Sequence, residues 1–211
     1  MLVCLLCFVQ SYAQKQVWNA DTIIARVNRV SDQDSSRRLN FKMTLNSDSS
    51  YSYGTIWWKP ACIAVVMSDT LNDQTPSTEI ISDGTTQWLY MQAGNTVMVY
   101  PAQGASGLFG PVDAFRFSPK KLRASSVDSV VGDTIAWVRL VPLSEKTKYS
   151  SLLVKVSLKD YRVQELSIFN KNGSSAKFSF AYAGVNEVFS DDLFRFDIDK
   201  HPGVKVDDSR K

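Results

Sequence analysis

The chain offers few side chains that make or break bonds. Its one histidine, His201, stands beside Pro202 and Gly203 in what reads as a terminal turn. Acid–base catalysis or metal binding of the histidine type therefore has almost no material to work with. Cys62 lies inside an apolar run and reads as a small core side chain rather than a nucleophile or ligand. Paired carboxylates occur as Asp191-Asp192 and Asp207-Asp208, both among polar neighbours, and read as solvated surface rather than a paired-carboxylate site. No serine has a G-x-S-x-G context, and no Walker loop or G-x-G-x-x-G is present. These absences argue against an enzyme, and an exported hydrolase with an unrecognised site is the weakest of the readings.

What the chain has in quantity is apolar surface, including five Trp and eleven Phe. It is concentrated in Tyr53–Met67, YGTIWWKPACIAVVM, where two β-prone runs, Thr55–Lys59 and Ala61–Met67, flank Pro60. Proline cannot donate to a ladder, so a strand must bend or end there. Trp57 and Trp58 point to opposite faces of any strand holding both, and Cys62–Met67 is apolar at every position. Both faces of this region need cover, the second from more protein or from a ligand. A curved antiparallel sheet around something apolar would meet both needs, which favours a hydrophobic-ligand carrier.

The elements that must position this stretch follow from periodicity. Asn19–Val30 places Ile23, Ile24, Val27 and Val30 on one helical face, with Asn19 or Asp21 as N-cap. Leu39–Leu45 alternates Leu39, Phe41, Met43 and Leu45 against Asn40, Lys42 and Thr44, a half-buried strand. Glu79–Tyr90 spells strand, Asp83-Gly84 turn, strand, and Thr96–Tyr100 pairs next. Residues 101–119 carry Leu108, Phe109, Phe115 and Phe117 among Gly, Ser and Pro, and are either a flap over a cavity or a loop pinned to the core. A meander is expected from Leu122 onward: Val127–Val131, Ile135–Pro142, Ser151–Leu158, Val163–Asn170, Ala176–Ala183 and Leu193–Ile198. Its turns fall at Gly132-Asp133, Lys159-Asp160 and Asn172-Gly173.

In 211 residues with no linker, repeat or charge block, one β domain is expected over 14–211. The net charge of +3 is spread among acidic residues, so nothing points to nucleic acid. Met1–Val9 is almost wholly apolar, too short to span a bilayer, and is followed by a small-x-small site; residues 1–13 read as a signal peptide, although no Lys or Arg precedes the run. Cys4 and Cys7 would leave with it, and neither follows the small residue of a lipoprotein-processing site, so the expectation is a soluble exported protein without a lipid anchor or disulfide.

Three stretches in register resemble the periplasmic outer-membrane lipoprotein carrier family, LolA. Gly54–Pro60, GTIWWKP, is similar to its G-x-L-W-V-K-R-P; Ile81–Tyr90, ISDGTTQWLY, to its V-S-D-G-x-T-L-W-F-Y; and Phe194–Lys211 to its terminal F-x-F-x-P-P-x-G-V-x-V-D-D. The resemblance implies a mainly β fold, an unclosed, strongly curved antiparallel β-barrel of about eleven strands with an α-helical lid over an apolar cavity. It implies no cofactor and a monomer working in the periplasm. Its partners would be acylated lipoproteins, an inner-membrane ABC-type lipoprotein-releasing transporter and an acceptor at the outer membrane. A lipid- or lipoprotein-sensing regulatory domain of the same fold is the alternative.

On this frame, alternation puts Phe41, Met43, Ile56 and Trp58 on the inner face; the resemblance, whose aromatic three residues after the Pro falls on Ile63, implies that Ile63 and Val65 join them. Either Trp88 and Tyr90 or their neighbours Gln87 and Leu89 complete it, and polarity favours Trp88 and Tyr90. Met43, Met67, Met91 and Met98 suit a surface that must hold and release acyl chains. The family latches its lid with the Arg of K-R-P; here that residue is missing and the role passes to Lys59, whose ammonium lacks the planar fork of a guanidinium.

Overall fold

The computed structural model describes residues 18–46, 51–69, 77–102 and 115–210. The expected signal peptide, 1–13, and most of the 101–119 segment lie outside them.

Helix α1 spans Ala20–Gln33, and the Asn19 side chain accepts a hydrogen bond from the Thr22 amide at 2.9 Å, as an N-cap should. Its buried residues, Ile23, Ile24, Val27 and Ser31, form one stripe. Among the described residues twelve strands follow: β1 Arg37–Leu45, β2 Tyr51–Lys59, β3 Cys62–Asp69, β4 Thr78–Ser82, β5 Thr86–Met91, β6 Thr96–Pro101, β7 Leu122–Val131, β8 Ile135–Pro142, β9 Tyr149–Ser157, β10 Val163–Asn170, β11 Ser175–Val185 and β12 Lys205–Asp208.

All twelve belong to one sheet, ordered β12-β6-β5-β4-β3-β2-β1-β11-β10-β9-β8-β7. Its end strands β12 and β7 are not paired to each other, so the curved barrel is unclosed. Two antiparallel meanders, β1–β6 and β7–β11, are welded where β1 pairs with β11, from Arg37↔Val185 to Leu45↔Ala176. The meander expected from Leu122 onward is the second of these, β7–β11. The turn signals hold where both central residues need positive φ: Gly132 and Asp133 have φ of 55° and 51° and join β7 to β8.

Two departures lie at the carboxyl end. Leu193–Ile198, expected as a strand, falls across two short 3-10 turns, Asp191–Phe194 and Ile198–Lys200. Ser190 and Asp197 cap them, accepting from the amides two residues on. The alternating Phe194 and Phe196 do not mark a strand edge; they are apolar plugs on the convex face. Beyond them β12 adds to β6 in parallel, from Lys205↔Thr96 to Asp208↔Val99.

The main core fills the concave side, where α1 lies across β7 and β8. Phe115 and Phe117 are buried there too, so this end of the 101–119 segment is pinned to the core. Asn28 holds Phe117 by two bonds, donating to its carbonyl at 2.9 Å and accepting from its amide at 2.8 Å, while Ser31 donates to the Phe115 carbonyl at 3.1 Å.

Candidate functional site: the concave wall from β1 to β6

Cross-strand register lines up the concave side chains in rows. One row runs Leu39, Ile56, Val65, Ile80, Leu89, Met98 across β1 to β6. Every member is apolar. The first four are buried, whereas Leu89 and Met98 are half-buried. A parallel row runs Arg37, Trp58, Ile63, Ser82, Gln87, Tyr100, and a third runs Phe41, Gly54, Met67, Thr78, Met91, Thr96. Gly54 is required in the third: a Cβ there would meet the Val66 carbonyl at 2.0 Å and the Phe41 ring at 2.9 Å. Its absence lets the Phe41 ring lie over the β2 backbone, where it also meets Phe178 at a centroid distance of 6.3 Å.

Six of the expected contact residues share this face. Phe41, Met43, Ile56 and Val65 are buried in the main core, Ile63 is half-buried against it, and Trp58 lies under the Arg37 guanidinium, 4.5 Å from the ring centroid. Met43, Met67, Met91 and Met98 all fall on the concave side by the same alternation.

Trp88 and Tyr90 do not, and the expectation is corrected. Trp88 pairs with Ile81 and Val99 on the convex face, and Tyr90 with Glu79 and Val97. The concave members of β5 are Gln87, Leu89 and Met91. Polarity could not phase this strand because its convex face is apolar as well. Trp57, Ala64, Ile81 and Trp88 form a second cluster under Phe189, Leu193, Phe194 and Phe196. Tyr90 packs against Phe196 and His201, with centroids at 5.2 and 4.3 Å. The cover that the tryptophan-rich stretch demands on its second face is thus the chain's own carboxyl-terminal segment.

Lys59 is likewise on the convex face. Its ammonium sits 4.7 Å from the centre of the Phe194 ring and pairs with Asp191, so it pins the 3-10 turn rather than α1. The helix is held elsewhere. Arg37, almost fully buried, donates from Nε to Asp34 at 2.7 Å and from Nη2 to the Ser31 carbonyl in the last turn of α1. Arg162, in the turn just before β10, grips Asp34 with both terminal nitrogens at 2.8 and 3.2 Å. Burial alone would raise the Asp34 pKa, but the hydrogen bonds and charge of Arg162 and Arg37 outweigh it and hold the carboxyl below its ordinary value. Sequence reasoning missed this triad because Asp34 and Arg162 are 128 positions apart, beyond the reach of any local pattern.

Among the described residues no cluster of three or more His, Cys, Asp or Glu side chains could hold a metal, and no helix is long and apolar enough to cross a membrane. What Ile63, Met67, Leu89 and Met98 can do is exchange water for an apolar guest.

Residues 72–197 match the family model described as outer membrane lipoprotein carrier protein LolA. No curated protein matches the chain. Among solved structures, an uncharacterized conserved protein from Thermus thermophilus superposes with a TM-score of 0.54 at 12% identity, over 90% of this chain and 98% of that one. A putative outer membrane lipoprotein-sorting protein domain from Vibrio parahaemolyticus gives 0.47 at 12% identity, over 83% and 97%. MucB gives 0.47 at 16% identity, over 84% of this chain and 62% of that one.

Proposed function

Starting from a chain that belongs to the outer membrane lipoprotein carrier protein family, LolA, we propose that it is a periplasmic carrier which shields the acyl chains of lipoproteins between the inner and outer membranes. Residues 1–13 serve as its export signal. The observation that carries the reading is the apolar row whose cover thins from Leu39 to Met98. Burying a methylene contributes ~0.8 kcal/mol, so acyl chains do not cross water unaided, and a wall already stripped of some of its own cover receives them readily. Methionine at three of the half-exposed to exposed positions, Met67, Met91 and Met98, supplies a surface that repacks around guests of different shape. Release is as necessary as capture, and unbranched, mobile side chains favour it over tight shape matching.

Contact belongs to Ile63, Met67, Leu89 and Met98, with Trp58 at the border. The cargo comes from an inner-membrane transporter and passes to an outer-membrane acceptor. Depletion in the native host should strand lipoproteins in the inner membrane; intact sorting with altered stress signalling would replace carriage with sensing. The purified protein should carry acylated lipoprotein with it, and Leu89→Glu and Met98→Glu should lose that cargo while remaining folded. Undiminished cargo in both variants would remove this wall from the proposal.

A further inference from the structure

The two rims of the barrel differ in charge. At one rim four connections are stitched together by hydrogen bonds. The Asn46 amide donates to the Ser175 carbonyl at 2.9 Å and the Ser175 amide returns a bond to Asn46 Oδ1 at 2.8 Å. The Lys171 amide donates to the Lys148 carbonyl at 2.9 Å, and the Leu143 amide to the Lys121 carbonyl at 2.9 Å. Lys171 Nζ also reaches the Glu145 backbone carbonyl. The β1 end, the β8–β9 turn, the β10–β11 turn and the turn before β7 therefore form one continuous edge.

Among the described residues of those turns, Lys120, Lys121, Lys146, Lys148 and Lys171 are exposed and Glu145 is the one acid, a surplus larger than the +3 of the whole chain. The strand-to-strand turns of the opposite rim carry Asp83, Asp133 and Asp160 beside Lys59, Lys159 and Arg162, so neither sign leads there.

Large apolar side chains stand among the lysines. Leu45 is 51% exposed and Leu143 55% exposed, and Tyr51 and Tyr53 are exposed on the neighbouring convex surface, with Lys42 Nζ 3.7 Å from the centre of the Tyr51 ring. Leucines ringed by lysines and tyrosines match an interface with acyl chains below and charged headgroups above; a soluble acidic partner would have no use for the bare leucines. Leu45 is also the last member of the β1 row Leu39, Phe41, Met43, so the apolar concave surface runs out to this rim.

We propose that this basic rim docks the protein on an anionic lipid bilayer. The lysines meet headgroup phosphates, Leu45 and Leu143 dip among the acyl chains, and the concave wall opens toward the bilayer at that edge. The docking does not depend on what the wall carries.

Vesicle flotation of the full chain tests this, read as the ratio of binding to vesicles containing about 30% phosphatidylglycerol over binding to pure phosphatidylcholine. Any contribution of the apolar residues 1–9 cancels in that ratio. The ratio should exceed about a hundredfold at low salt and collapse toward unity at about 0.5 M salt. Each lysine near an anionic surface strengthens binding about fivefold, so Lys120→Glu, Lys121→Glu, Lys146→Glu and Lys148→Glu together should erase the preference, while Lys159→Glu on the opposite rim leaves it intact. The milder pair Lys146→Gln and Lys148→Gln, which adds no repulsion, should lower anionic binding about 25-fold with an unchanged circular dichroism spectrum. Leu45→Ser with Leu143→Ser should weaken binding several-fold at every salt concentration. A wild-type ratio near unity, as a protein partner at this rim would give, overturns the proposal, and so does an undiminished ratio in the four-lysine variant.

Discussion

The two ends of the concave face are built alike and covered differently. Under α1, Val138, Leu152, Val154, Val156 and Leu166 are fully buried, each 0% exposed. At the other end Leu89 and Met98 continue an equally apolar row and remain half-buried. Alternating strands make both walls, but the helix and the Phe115–Phe117 anchors lie over only one. The covered end supports the fold, and the thinner end is where a guest gains most by arriving.

A charge separates the two ends most sharply. Val154→Asp places an unpaired carboxylate in the packed end and should cost more than about 4 kcal/mol, leaving little folded protein in a urea titration. Leu89→Glu can turn its carboxylate to water and should remain folded with acyl binding lost. Equal unfolding by the two would erase the distinction. Truncation gives a smaller contrast: Leu152→Ala should cost about 3–4 kcal/mol by chemical denaturation, and Met98→Ala no more than about 1 kcal/mol.

Acid probes what keeps α1 over the packed end. The Asp34 pKa is lowered in the folded protein, so its contribution is full above the unfolded value of about 4 and drains away as pH falls through the folded value. Asp34→Asn should cost about 2–3 kcal/mol at neutral pH, since the amide still accepts one bond, and should flatten the stability profile below pH ~4. Lys59→Ala should do least. Its partner Asp191 is solvent-exposed, and solvent screens such a pair; thermal melting and acyl binding should both be nearly unchanged. A large gain or loss of binding would return the latch to Lys59.

Much of this was legible in the chain. The Leu39–Leu45 alternation phased β1, and Trp57-Trp58 correctly announced a strand apolar on both sides. The identity of what lay on each side was not. A sheet covered on both faces has no polar stripe, so Trp88 and Leu89 were equally eligible for the interior, and only the register through Ile80↔Leu89 decides between them. Phe194 and Phe196 alternate as a strand would, yet their partners are side chains beneath them, which periodicity does not reveal. The Arg37–Asp34–Arg162 triad joins residues more than a hundred positions apart and left no local trace.

The pairing of β1 with β11 sets a schedule. An early strand must wait for partners some 140 positions downstream, a long loop closure that slows formation of such a sheet. Until residue 185 has emerged, the first meander has only its own hairpins to lean on. A molecule wired in this way commits to its final shape only once nearly the whole chain is at hand.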